Sequence, residues 1–307
     1  MTQDTKDRPS GSEENPFVEK DADDMVLYEK LPGHIAKITL NRPEKGNAIL
    51  AGVMDKEMVR KFEMAQDDDE VKVIILSGAG RHFCSGEDTR RMPVESFGLK
   101  KGQKLPQSFR MRGAARSAEQ TRSMILYSSK TTIAAVHGAA MGAGFRLALL
   151  CDLMVAADDA VFARRQSRIG FAGFDTVLPL TLLKLGINRG YEALITGRAV
   201  KAQEMKEWGV AASLVPEAQL MDEAMRYAKA IAAHATDSLM LGRHSMQMFW
   251  DLIGMGTYFT YLKTAHPLFT NAVWREDEAN WMKMRREYGA KESIERLYKI
   301  WEDLGFD

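Results

Sequence analysis

Three glycines, Gly138, Gly142 and Gly144, punctuate the run from Ile133 to Asp152, separated by alanines and Met141. A short apolar strand leads into them, and an apolar helix beginning near Gly142 leads away. Glycines leave the main chain bare at a helix N-terminus, where unpaired N–H groups meet the positive end of the helix dipole. Such a place can bind a phosphate or hold the oxygen of an enolate. It can equally be a tight turn in which glycine only lets strand and helix pack closely. Further along, Arg146, Arg164, Arg165 and Arg168 bring unusual positive charge to the same stretch. One of them facing a pocket could pair with a substrate carboxylate or stabilise an oxyanion. Gly170-Phe-Ala-Gly-Phe-Asp175 adds one carboxylate. Asp175 fits two roles, an acid/base group or the N-cap of the helical run 176–185.

These residues need elements to position them. Residues 1–24 are polar and charged with no hydrophobic period, and read as a disordered arm. From Met25 the pattern changes. Residues 35–40, 71–77, 132–136 and 153–157 read as short strands, with helical spacing over 53–66 and 142–151 between them. This alternation predicts an α/β fold with mostly parallel strands over residues 25–200. From residue 201 to 307 the chain reads as almost wholly helical, with helices over 203–208, 221–234 and 237–250. That region suits a second layer or a contact with a neighbouring subunit. Residues 93–106 read as irregular and 108–126 as helix, either a lid over a pocket or a solvated surface segment.

Composition narrows the function. Of 307 residues, 45% are hydrophobic, enough for a sizeable core, and Lys+Arg equals Asp+Glu at 42 each. Balanced charge with no aromatic-basic stripe argues against nucleic acid. No apolar run is long enough to span a membrane, and the N-terminus carries no secretory apolar region, so a cytoplasmic protein is expected. The two cysteines, Cys84 and Cys151, form no metal or disulfide framework and read as core packing.

Several segments together resemble the crotonase (enoyl-CoA hydratase/isomerase) superfamily. They are Ile38-Thr-Leu-Asn-Arg-Pro43 with Gly46-Asn-Ala48, Val73-Ile-Ile-Leu-Ser-Gly78, and His82-Phe-Cys-Ser-Gly-Glu-Asp88. The glycine segment resembles the family's second oxyanion block. Thr196-Gly-Arg198 with Ala202 and Glu207-Trp-Gly-Val210 resembles a later block. The resemblance spans roughly Val26 to Ala235. It implies a spiral of β-β-α turns with a helical C-terminal region, assembled as a trimer or dimer of trimers. It also implies an acyl-CoA substrate, with coenzyme A as part of that substrate and no tightly bound cofactor or metal.

By the same resemblance, two main-chain donors hold the thioester oxygen, the N–H of Glu87 and the N–H of Ala143. A carboxylate beside an anion hole is unfavourable, so the Glu87 side chain is expected to point outward into solvent or to find Arg90 or Arg91. Coenzyme A is expected along Ala48, Cys84 and Gly86, with Arg90 at its phosphates. A hydratase of this family resembles a two-glutamate machine. The resemblance places those glutamates four residues after Gly142 and four after Phe162, where this chain has Arg146 and Gln166. Neither side chain is a general base at neutral pH. Isomerisation or carbon–carbon hydrolysis therefore fits better than hydration. Two other readings stay open, a β-diketone hydrolase that does not use coenzyme A and a catalytically weak acyl-CoA-binding member. Arg146 is expected at the pocket, Arg164 and Arg168 on a surface turn, and His137 as a packed strand-end residue. Asp152 is expected to anchor a turn. The aromatics Phe249, Trp250, Tyr258, Phe259 and Tyr261 read as helix packing, with a bulky apolar substrate as the other reading.

Overall fold

The computed structural model describes residues 22–89, 124–170, 176–269 and 273–306, with isolated residues between 106 and 115. Nine strands and nine helices follow one another among them. The strands are β1 (Val26–Leu31), β2 (Ile35–Leu40), β3 (Val73–Gly78), β4 (Thr131–Val136), β5 (Ala139–Met141), β6 (Leu153–Ala157), β7 (Val161–Ala163), β8 (Val200–Lys201) and β9 (Ser213–Val215). The helices are α1 (Met54–Asp67), α2 (Ala143–Leu150), α3 (Leu178–Leu185), α4 (Ile187–Thr196), α5 (Ala202–Glu207), α6 (Leu220–Ala232), α7 (Thr236–Leu252), α8 (Met255–Phe269) and α9 (Trp281–Glu302).

The main sheet has strand order β1-β2-β3-β4-β6-β9, antiparallel at β1–β2 and parallel thereafter. Side chains alternate between its faces, as a period of two requires. Ala36, Ile38, Ile74, Leu76, Ala134, Val136, Met154 and Ala156 enter one core, with residues of α1 and α2. Ile35, Val73, Ile75, Ile133, Ala135, Val155 and Ala157 face the other. α6 covers that second face with Leu220, Ala224, Ala228 and Ala232, a stripe at intervals of four whose three alanines let it lie close to the sheet. Both faces of the parallel strands are thus buried.

A smaller sheet, β5-β7-β8, lies outside the first, with β5 parallel to β7 and β7 antiparallel to β8. Two isolated bridges extend it, Cys84 with Ala140 and Ile49 with Glu87. These bridges bring the 83–88 loop against the start of α2.

The reading of the strands and long helices holds to within one or two residues. Residues 35–40 and 153–157 coincide with β2 and β6. The helical stretch expected from residue 202 is interrupted by β9, which hydrogen-bonds to β6 in the main sheet. Ala22–Met25 forms a single 3-10 turn rather than belonging to the polar arm, and the Asp23 carboxylate accepts from Lys61 Nζ at 2.8 Å. The rest of that arm, residues 93–105 and most of 108–123 lie outside the described residues. Among the described residues no helix is long and apolar enough to cross a membrane. Trp250 and Phe259 are buried, as helix packing requires, whereas Phe249 and Tyr261 are exposed.

Candidate active site

The site is built where two loops are zipped together by main-chain hydrogen bonds. Phe83 N–H donates to His137 O at 2.9 Å, Cys84 N–H to Ala139 O at 3.0 Å, and Met141 N–H to Cys84 O at 2.8 Å. Beyond Cys84, Gly86 takes φ +108°, and the chain turns to meet Ile49. Ile49 N–H donates to Gly86 O at 2.7 Å, and Asp88 N–H donates to Ile49 O at 3.0 Å. In a parallel bridge of this kind, the residue between the two bonds points its own N–H the opposite way. The Glu87 N–H is therefore turned away from Ile49 toward α2.

The second donor arises the same way. Gly142, at φ +51° and ψ −109°, is the N-cap of α2, and its N–H is used by Ala163 O at 2.8 Å. The next N–H, that of Ala143, is the first inside the helix and has no carbonyl one turn back to receive it. The bridges at Cys84 and Glu87 hold these two main-chain donors on neighbouring segments. Both help to hold the pKa of the Glu87 carboxyl down.

The Glu87 side chain is 31% exposed, so the expectation of a solvated carboxylate is corrected only in part. It pairs with Arg146, whose Nη1 lies 3.3 Å from Glu87 Oε1. The physical reason lies in α2. Its residues are buried except for Arg146, so this one cation on an apolar helix needs an anion beside it. Burial works to raise the Glu87 pKa. The charge of Arg146, then that of Arg164, and the two N–H groups outweigh it, and hold the carboxyl below its ordinary value.

Arg164 and Arg168 also depart from expectation, since both are buried rather than on a surface turn. Arg164 Nη1 donates to Gly142 O at 3.3 Å, beside the N-cap of α2. Arg168 Nε donates to Thr196 O at 2.9 Å, and its guanidinium lies 5.2 Å from the Trp301 ring centroid. The aromatic face of α9 covers it, a contact far away in sequence. Gln166 lies in the 3-10 helix Arg165–Ile169, close to Gly142, and its Oε1 is buried with no partner among the described residues.

The carbonyl oxygens expected along coenzyme A all accept hydrogen bonds within the chain. Ala48 O accepts from Arg42 Nη1 at 3.0 Å, Cys84 O from Met141 N–H, and Gly86 O from Ile49 N–H. Burial pushes the thiols of Cys84 and Cys151 up to about 12, which suits packing rather than nucleophilic chemistry. His137 Nε2 sits 2.7 Å from Gly80 O at the strand end, as expected. Asp175, Arg90 and Arg91 lie outside the described residues, but α3 begins at Leu178 with Val177 as its N-cap.

Arg42, Asp88 and Asn47 fix the loops around this site. Arg42 and Asp88, both largely buried, pair at 2.8 Å and pin the chain directly after Glu87. Asn47, fully buried at φ +55°, donates through Nδ2 to Ala79 O at 2.8 Å and His82 O at 2.7 Å. An Arg, an Asn and an Asp recurring within otherwise apolar blocks were the available signal.

The closeness of the two loops gives a direct prediction. A Cβ at Gly144 would lie 2.3 Å from Cys84 O. Helix propensity alone would favour alanine there by about 1 kcal/mol. The backbone collision reverses that sign, and Gly144→Ala is expected to destabilise by about 1–3 kcal/mol. Urea unfolding reads the difference, and a variant as stable as the parent would contradict the close approach.

An α/β protein with a six-stranded sheet and a smaller three-stranded one is thereby defined. The sequence model of the family described as enoyl-CoA hydratase/isomerase matches residues 30–248. A probable enoyl-CoA hydratase of Mycobacterium bovis is 31% identical over 262 residues, covering 81% of this chain and 88% of that protein. A mevalonyl-coenzyme A hydratase of Beauveria bassiana is 27% identical over 278 residues, covering 88% and 92%. The crystal structure of an enoyl-CoA hydratase from Mycobacterium smegmatis superposes with a TM-score of 0.76 at 25% identity, covering 91% of this chain and 95% of that one. The chain belongs to the enoyl-CoA hydratase/isomerase family of the crotonase superfamily.

Proposed function

We propose that this enzyme acts on an acyl-CoA thioester by stabilising an enolate, and that it moves a proton or cleaves a carbon–carbon bond rather than adding water. The observation that supports this reading is the placement of two N–H groups, that of Glu87 turned away from its bridge to Ile49 and that of Ala143 opening α2. Donors fixed in that way meet the negative charge that grows on the thioester oxygen when a proton leaves the α-carbon. The enolate itself is common to hydration, isomerisation and cleavage, so the side chains around it decide among them.

Hydration by paired carboxylates needs one group to activate water and a second to deliver a proton. Arg146 and Gln166 stand where the resemblance places those groups. Isomerisation asks less, because one acid/base group can take a proton from one carbon and return it two carbons along. Asp175 is proposed for that work, with Arg90 at the coenzyme A phosphates and Ala48, Cys84 and Gly86 along the ligand. The relatives reported above carry hydratase names, so the choice rests on this chain's own residues.

Crotonyl-CoA separates the alternatives. Little or no hydration is expected, and rapid hydration would show that Arg146 and Gln166 do not bar that route. Asp175→Asn is expected to lower turnover of a 3-enoyl-CoA by about 10²–10⁴, the usual worth of a general acid/base. Unchanged turnover would remove Asp175 from the chemistry. Cleavage of a cyclic diketone without coenzyme A binding would favour the β-diketone hydrolase. A homotrimer or dimer of trimers is also proposed, supported by the exposed Leu241, Met248 and Leu252 of α7. Sedimentation equilibrium reads it, and a monomer would contradict it.

A further inference from the structure

A carboxylate of the same chain lies at the start of α2, beside the donors described above. Glu87 Oε1 is 3.3 Å from Arg146 Nη1. Its Oε2 lies 3.2 Å from where a Cβ on Gly142 would stand, at the mouth of α2. The Ala143 N–H follows Gly142 at the start of α2, on the side where this carboxylate lies, and Arg164 supplies a second buried positive charge beside Gly142. A carboxylate and an enolate oxygen make the same demand on such a site, a negatively charged oxygen that accepts from preorganised N–H groups.

We propose that Glu87 fills the oxyanion hole of the resting protein, and that a thioester carbonyl enters only by displacing this carboxylate. The hole is in this sense a carboxylate site that the chain satisfies internally. Glu87 then acts twice. Its N–H helps to build the hole, and its side chain sets a threshold that a ligand must exceed. Free coenzyme A has no thioester carbonyl to place there and crosses no such threshold. Small carboxylates are excluded while Glu87 is in position. The proposal rests on the thioester reading for the ligand that displaces Glu87, but not for the carboxylate that occupies the site.

Glu87→Ala keeps the main-chain N–H and removes the occupant. If the hole is open in a tenth of the parent molecules, acyl-CoA binding should tighten about tenfold on opening it fully. Affinity for free coenzyme A should stay unchanged. Glu87→Gln, which keeps the shape and loses the charge, should fall between the two and guards against a folding defect. Independently of any thioester, sodium acetate should raise the melting temperature of Glu87→Ala above that in sodium chloride of equal ionic strength, and do nothing of the kind for the parent. Equal responses of parent and variant to acetate would overturn the proposal. If acetate distinguishes them but neither binds acyl-CoA, the carboxylate site stands and the thioester reading fails.

Discussion

Replacing Ala143 by proline should cost about 10²–10³ in kcat/KM, the worth of one oxyanion donor, while leaving the fold in place. Ala143 is the first residue of α2, and proline is well tolerated at that position because its N–H has no intrahelical partner to lose. The residue before it is Gly142, at φ +51°, which has no Cβ to collide with the proline ring. The substitution therefore removes one hydrogen atom from the chemistry and adds ring carbons at the same point. Ala143 is fully buried, so some local adjustment of α2 is expected. Circular dichroism and the melting temperature check that the protein remains folded, and turnover of a 3-enoyl-CoA reads the effect. Folded Ala143→Pro protein with undiminished kcat/KM would place the reacting oxygen elsewhere. The comparison with Glu87→Ala is informative, because that variant keeps both N–H groups and removes only a side chain.

The second large effect is on stability. Asp152 follows α2 and is tied in several directions. Its Oδ2 accepts from Thr132 N–H at 2.7 Å and from Thr132 Oγ1 at 2.9 Å, while Oδ1 receives Arg243 of α7. Arg243 is itself buried and donates to Ser128 O and Leu126 O, each at 3.0 Å. One ion pair thus joins the C-terminal helices to the start of β4 and to the segment before it. Asp152→Ala leaves a buried guanidinium without its counter-charge, and should destabilise by about 3–5 kcal/mol. Replacing both partners by apolar residues of similar size should cost much less, since no charge is then stranded. Denaturant unfolding of Asp152→Ala, Arg243→Met and the double variant reads the coupling between them. Strictly additive losses would mean that the two residues act separately. The sequence reading of Asp152 as a turn anchor was correct in kind, but its partner ninety-one positions away was not visible in it.

That distance describes most of what could and could not be read. β2 and β6 were legible because they are buried, apolar and bounded by turn residues, and α6 because its apolar positions recur at helical intervals. β5, β7 and β8 have two or three residues each, too few for a period to register. They become strands only because the turns around them bring them together. The main-chain donors at Glu87 and Ala143 could be proposed because a backbone N–H survives any side chain except proline. The partner of the Glu87 carboxylate was missed for the opposite reason. The carboxylate's direction is set by Arg146, which arrives fifty-nine residues later on a helix with no other charge. Arg164 and Arg168 were misread because cations are usually solvated, and nothing local announces that Tyr298 and Trp301 will cover the second of them. Periodicity reports the elements, whereas the charges of this site are decided by what the elements meet.

Incubating a 3-enoyl-CoA with the enzyme in D₂O and following it by proton NMR tests the central claim most directly. Enolate chemistry without paired-carboxylate hydration predicts that the double bond moves to the 2-position, with deuterium entering the carbons that exchange protons. It also predicts that the 2-enoyl product persists, with no accumulation of the 3-hydroxyacyl thioester. Steady build-up of that hydroxyacyl product would contradict the account, and so would recovery of the starting thioester with no deuterium at its α-carbon.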